Sequence, residues 1–407
     1  MRPAESDRLP RLAAARSGGG HAPAAGDPDV TVVTTRLLWA RALRDFGDGF
    51  VAVLLPVYLT ALGLGPAAIG LVATLALLGS ALTTLGIGVV SGRFGQRRLL
   101  MAASVVMAAS GFVFAATDAL AIILLVALVG TINPSAGSVS IFVPLEHAVL
   151  TRAVPDAERT RSFARYSLVG AMAAALGALA AASPDLLART GLSEIVALRA
   201  MFVLYAALGI AGGLVYRSLP REAPAEVGSG HSVLGPSRGI VVRLAALFCV
   251  DSFAGGFAVQ SLLALWLFER FDLSLAEAGL FFFWSGVLSA FSFPVAAWLA
   301  TRIGLVNTMV FTHIPSSLCL IGAAFAPQVE VALGLLLLRA ALSQMDVPTR
   351  SSYVMAVVTP PERTAAASFT AVPRSLAAAA GPAIAGAIFA AGWQATPFIL
   401  CGVLKIA

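Results

Sequence analysis

The sequence predicts an all-α polytopic membrane protein built from two related six-helix halves, and three observations carry that prediction. Charged residues make up only 12% of the 407 positions and apolar ones 58%, against roughly a quarter and a half in soluble domains; such a chain cannot cover a water-facing surface. Stretches of about 20 residues recur with almost no charge, each long enough at 1.5 Å per residue to cross a hydrocarbon core about 30 Å thick. Short patterns in the first half then reappear, in order, in the second.

Residues 1–35 are rich in Gly, Pro, Ala and Arg and lack the apolar core of a signal peptide, so they read as a mobile cytoplasmic tail. Apolar runs bounded by Gly, Pro and charged residues place spans one to six at 36–63, 66–91, 99–117, 119–151, 161–183 and 194–218. Spans seven to twelve follow at 239–268, 275–300, 305–326, 329–358, 364–391 and 395–407. The halves are therefore 36–218 and 239–407. Residues 219–238, with Pro220, Pro224, Gly228, Gly230 and Pro236, have the composition of a cytoplasmic linker. The twelfth run falls short of the ~20 residues a span needs, so this helix reads as truncated.

Orientation follows from the basic loops. Arg93, Arg97 and Arg98 follow span two, Arg152, Arg159 and Arg161 follow span four, and Arg217, Arg221, Arg238 and Arg243 flank the linker, all on one side. The opposite loops are neutral, acidic or mixed. The bias toward Arg on the inner face puts both termini in the cytoplasm of a bacterial or archaeal cell, with the chain in its inner membrane. The net charge of +6 is spread through short loops rather than gathered on one face, which argues against nucleic-acid binding. Cys249, Cys319 and Cys401 form no spaced cluster, so neither a disulfide framework nor a metal site is expected. Lys405 is the only lysine and no Gly-x-x-x-x-Gly-Lys loop is present, which removes ATP as a direct energy source. No cofactor is expected.

The repeat is visible in three places. Gly88, Arg93, Gly95, Arg97 and Arg98 after span two face Arg302 and Gly304 after span eight, sharing Arg-x-Gly. Glu158-Arg159-Thr160 opens span five as Glu362-Arg363-Thr364 opens span eleven, with Gly177 and Gly381 following at equal separation. Asp48-Gly49-Phe50 in span one matches Gly255-Gly256-Phe257 in span seven. Same order and near-constant offset mark parallel repeats.

From about Arg36 to its end the chain resembles the major facilitator superfamily, in its bacterial efflux-like form. Gly88, Arg93, Gly95, Arg97 and Arg98 match that family's loop between spans two and three, with Gly92 where the family carries the Asp of a charge relay. The resemblance implies a twelve-helix fold with both termini inside, a cytoplasmic gating loop at those residues and at Arg302 and Gly304, and a central cavity lined by spans one, four, seven and ten. It implies a secondary transporter acting as a monomer in the lipid bilayer on a small organic solute of unknown identity. Gly381-Pro382 in span eleven resembles an efflux signature, although span five has Ala178 at the matching proline position.

Ionisable groups inside spans are costly and therefore candidates for function. Span one carries Arg41, Arg44, Asp45 and Asp48 at helical spacing; span four carries Ser135 and Glu146; span seven carries Asp251; and span ten carries Arg339, Gln344, Asp346 and Arg350 along one stripe. Counting 1.5 Å per residue from the cytoplasmic ends puts Asp48, Asp251 and Asp346 at a common depth, about 18 Å in. Their convergence would suit proton coupling or a cationic substrate. Internal pairing of the arginines with Asp45 and Asp48 near the interface is the alternative for span one. Aligning the repeats sets Glu146 on Arg350, so these two are expected to pair across the cytoplasmic mouth when the protein opens outward and to part when it opens inward. The function expected is proton-driven export, with proton-driven uptake or a receptor-like role as alternatives. No hydrolase motif is present, so an enzyme is not expected.

Overall fold

The computed structural model describes residues 28–90, 94–135, 140–155, 158–220, 235–359 and 362–406. The predicted N-terminal tail, Arg93 and linker residues 221–234 lie outside the described residues, apart from the start of the first helix within the tail. In the first half the helices are α1 Pro28–Ala61, α2 Pro66–Val90, α3 Gln96–Ala116, α4 Leu120–Val129, α5 Phe142–Ala153, α6 Arg159–Ala180, α7 Ser183–Ala188 and α8 Glu194–Arg217. In the second they are α9 Arg238–Gly256, α10 Gln260–Phe271, α11 Leu275–Ile303, α12 Leu305–Phe325, α13 Val329–Ser343, α14 Asp346–Val357, α15 Arg363–Ala390 and α16 Thr396–Ile406.

Each predicted span coincides with a helix or a broken pair of helices. Eight segments are long and apolar enough to cross a membrane outright, α9 and α10 counting together as one of them. The others fall short for identifiable reasons. In α1 the ionisable residues crowd between positions 41 and 48. Span four breaks into α4 and α5 around Asn133-Pro134-Ser135, where the Asn133 side chain accepts from the Ser135 amide at 2.9 Å. Span ten breaks at Gln344, whose carbonyl would need an amide hydrogen from Pro348 to continue the helix. The helix α16 has 11 residues.

The repeated glycines do equivalent work in the two halves. A Cβ on Gly49 would lie 2.1 Å from the Ala174 carbonyl oxygen, and one on Gly177 would lie 2.0 Å from that of Phe46. These contacts seat α1 against α6. In the second half a Cβ on Gly256 would lie 2.4 Å from the Ala378 oxygen, and one on Gly381 would lie 2.5 Å from the Gly256 carbonyl carbon, seating α9 against α15. Glu158 and Glu362 cap α6 and α15 with nearly the same backbone angles. The Arg-x-Gly match is looser: Gly304 joins α11 to α12 at a φ of 87°, a value that favours glycine, while Gly95 begins α3 at −63°.

Outer helix faces are apolar. Val306, Val310, Ile314 and Leu318 stand exposed one turn apart on α12, as do Trp284, Phe291 and Trp298 at seven-residue steps on α11. Lipid is the solvent that suits such stripes.

Close approaches between the halves gather toward the end away from α1's start. A Cβ on Gly70 would lie 2.4 Å from the Pro382 oxygen, one on Gly279 would lie 2.7 Å from that of Ala178, and the Ala383 amide donates to Thr74 Oγ1 at 2.8 Å. At mid-depth the Ser261 amide donates to the Pro134 carbonyl at 3.1 Å.

At the opposite end, Glu362 accepts from the amides of Gly235 at 2.7 Å and Ser237 at 3.1 Å, tying the start of α9 to α15. The Ser237 hydroxyl, followed by these amides, holds the Glu362 carboxyl below its ordinary range. A depressed carboxyl contributes stability that is present above its unfolded pKa and is lost as pH falls through its folded one. Hydrogen exchange at the Gly235 and Ser237 amides, taken relative to their intrinsic rates, is therefore expected to accelerate below about pH 4.5. Glu362→Gln should show that faster exchange already at neutral pH.

Candidate functional site

Residues 41, 44, 45 and 48 follow helical spacing, so one face of α1 presents four ionisable groups to the interior of its own half. Arg41 Nε lies 2.6 Å from Asp45 Oδ2, and Arg44 Nε 3.2 Å from Asp45 Oδ1. Arg44 Nη1 reaches across to Glu146 Oε2 on α5 at 2.7 Å. Two phenols complete the glutamate's shell, Tyr166 of α6 donating to Oε2 at 2.5 Å and Tyr216 of α8 to Oε1 at 2.7 Å. Arg41 also lies over the Tyr166 ring, 4.7 Å from its centroid, and Arg44 over Phe142 at 4.8 Å. Glu146 is 0% exposed, and Arg44, Asp45 and Asp48 are similarly buried. Asp48 differs from the other carboxylates: Tyr205 Oη donates to it at 3.2 Å, and no cation among the described residues comes within ion-pair distance.

The second half has its own network. Arg350 Nη1 lies 3.2 Å from both Asp251 Oδ2 and Asp346 Oδ2. Asp251 Oδ1 additionally meets Lys405 Nζ at 2.6 Å and His313 Nε2 at 3.1 Å. Lys405 reaches Asp251 from α16, passing Gly255 of α9, whose added Cβ would stand in ordinary contact 3.9 Å from Lys405 Cε.

Between the halves lies a cavity of about 510 Å³, within the roughly 300–1,000 Å³ range of small-molecule sites. Its first-half wall includes Arg41, Asp45, Ser135 and Gly170, and its second-half wall includes Phe282, Ser289, His313, Arg339, Gln344 and Lys405.

Of the candidate residues, Asp45, Ser135 and Gln344 line the cavity, while Asp48, Glu146, Asp251, Asp346 and Arg350 lie outside its lining. The expected meeting of Asp48, Asp251 and Asp346 does not occur. Depth along a helix does not specify rotation about its axis, and each half folds its charges into a separate network. Arg41 and Arg44 pair with Asp45 rather than with Asp48, and do so in the interior rather than at the interface. Glu146 and Arg350 each take partners from their own half in this state, which is closed at the end away from α1's start, whereas their pairing is expected in the opposite state. Spans nine and twelve also reach the cavity, through His313 and Lys405.

In the predicted gating loops, Arg97 donates to the Arg217 carbonyl at 2.6 Å, linking α3 to the end of α8. Arg98 is exposed, Arg302 packs over Trp298 at 5.3 Å, and Gly95 and Gly304 begin α3 and α12. Gly88 lies in α2.

Sequence reasoning left His313, Lys405 and the three phenols out of the candidate site, and passed over Arg339 despite placing it on the span-ten stripe. A lone lysine inside an apolar run was a usable signal for Lys405; the phenols gave none, because buried tyrosine is ordinary packing.

Helices long and apolar enough to cross a membrane and a partly polar cavity among them mark a polytopic membrane transporter rather than an enzyme. The chain belongs to the Major Facilitator Superfamily, whose family model matches residues 37–345 and 244–407. An uncharacterized membrane protein of Saccharomyces cerevisiae, YJR124C, is 24% identical over 408 residues, covering 91% of either chain. The inward-open xylose transporter XylE from E. coli superposes with a TM-score of 0.73 at 15% identity, over 93% of this chain and 94% of that one. The nucleoside transporter NupG gives 0.71 at 15%, over 92% and 96%. These solved structures share the fold.

Proposed function

We propose that this chain is a twelve-span, N-in transporter of two bundles, 36–218 and 239–407 joined by the 219–238 linker, that exports a small organic solute by alternating access in exchange for protons. It acts as a monomer, in the cytoplasmic membrane of a prokaryote. The cavity between halves that approach most closely at one end supports alternating access, and the positive-inside bias makes the opposite end cytoplasmic. On this reading the segment holding Gly95 and Arg98 and the turn holding Arg302 and Gly304 belong to that mouth and close it in the alternate state. Gly381-Pro382 supports export.

Asp48 is the observation that carries proton coupling. Two arginines and three carboxylates share the first-half network, so full ionisation leaves one uncompensated negative charge away from water, a costly arrangement. A proton on Asp48, the carboxylate without a cation partner, removes that charge. Loading and release of this proton then tracks the solvent access of the two states.

Proteoliposomes with a luminal pH dye, challenged with cationic, anionic and neutral solutes, test the proposal. A substrate-dependent pH change is expected, reduced at least roughly tenfold in Asp48→Asn, as mutation of an essential proton-transfer group typically produces. Undiminished proton movement in that variant would reject Asp48 as the coupling site. The sign of the pH gradient that accelerates flux decides between export and uptake.

A further inference from the structure

The cavity wall is asymmetric in charge. Its first-half ionisable residues, Arg41 and Asp45, neutralise each other at 2.6 Å. On the second-half side the ionisable residues are His313, Arg339 and Lys405, with no carboxylate among them. Asp251 sits behind this wall, already engaged by Lys405, His313 and Arg350, and Asp346 is engaged by Arg350.

Arg339 is the residue left over. It lies on α13, eleven residues into the helix from Val329, and faces the cavity. It makes no hydrogen bond or ion pair among the described residues, and its electrostatic neighbours are the thiols of Cys319 and Cys401. A guanidinium inside a membrane helix without a carboxylate is costly. Its planar fork of donors matches the oxygens of a carboxylate or phosphate in a bidentate pair. Around it, Ser316, Ser317, Ser343 and Gln344 supply further polar groups, while Leu263, Phe282 and Leu320 line apolar wall.

We infer that the solute is a small organic anion whose carboxylate or phosphate head pairs with Arg339, while its apolar body lies along the Phe282 side. This inference rests on the transporter reading above and replaces the cationic substrate that three converging carboxylates would have favoured. The anion is the missing counter-charge of Arg339, since the Lys405 and Arg350 charges are already balanced by Asp251 and Asp346.

The test uses the full-length protein in nanodiscs, with binding read by thermal shift and calorimetry against probes of matched shape: benzoate and phenyl phosphate, the neutral benzamide and the cationic benzamidine. At least one of the two anions is expected to bind, at least tenfold more tightly than the amide or amidine, and whichever does identifies the head group. Arg339→Gln should lose that preference at least tenfold. Arg339→Lys, which keeps the charge and protects against a folding artefact, should retain part of it. Failure of both anions to bind, equal binding of amide or amidine, or unchanged anion binding in Arg339→Gln would overturn the inference. Flux in proteoliposomes separates the two readings. Arg339-dependent anion binding without flux would leave the site standing and remove transport. Proton-linked flux of neutral or cationic solutes, indifferent to Arg339→Gln, would leave transport standing and remove the anion site.

Discussion

Arg44→Met is expected to destabilise the protein by about 3–5 kcal/mol, the usual consequence of removing one partner of a buried ion pair. Without the guanidinium, Glu146 keeps only the Tyr166 and Tyr216 hydroxyls, and Asp45 keeps only Arg41. Both carboxylates remain in the low-dielectric interior with too little positive charge beside them. The measurement is the midpoint of thermal unfolding in detergent, together with the yield of monodisperse protein. A double-mutant cycle makes the prediction specific: Glu146→Gln in the Arg44→Met background should recover a substantial part of the loss, because the uncompensated charge is gone. If the two losses simply add, the pair contributes no coupling and this account of the network is wrong.

Gly70→Leu should hold the halves apart at the end where they now touch. The Cβ alone would lie 2.4 Å from the Pro382 oxygen and 2.9 Å from the Gly386 Cα, and both obstacles are backbone. Overpacking of this kind costs roughly 1–3 kcal/mol, charged against the state closed at that end, which shifts the balance between states about 5- to 150-fold. Spin labels at Leu192→Cys and Trp393→Cys in a cysteine-free background lie in loops at this end and should report a longer distance, with transport falling in parallel. Gly86→Leu serves as the control, since nothing stands within 4 Å of its Cβ position. An unchanged distance distribution in Gly70→Leu would show that this contact does not set the closed state.

Much of this protein was fixed by local properties of the chain. The span positions followed from apolar length and from the Gly, Pro and Arg that punctuate it, and helices appear at every one of them. Pro134 and Pro348 stand at the breaks in spans four and ten, where a missing amide hydrogen interrupts a helix. The repeat marked Gly49, Gly177, Gly256 and Gly381, which proved to be the points where backbones meet.

Partnership was decided elsewhere. Each residue turns a side chain by about 100° around a helix, so the direction of a charge depends on how far the whole helix is rotated within its bundle. Depth along the span carries no trace of that rotation. Asp48, Asp251 and Asp346 therefore looked like one cluster when counted along the chain and belong to two networks when folded. Lys405 meets Asp251 across 154 positions of sequence, because α16 packs beside α9 in the folded chain. The sequence by itself determined which segments form apolar helices and which glycines recur where backbones meet, because these depend on transfer into lipid and on local backbone chemistry. Only the tertiary structure decided which charges neutralise each other and that Arg339 is left facing the cavity, because those outcomes depend on the packing of several helices at once.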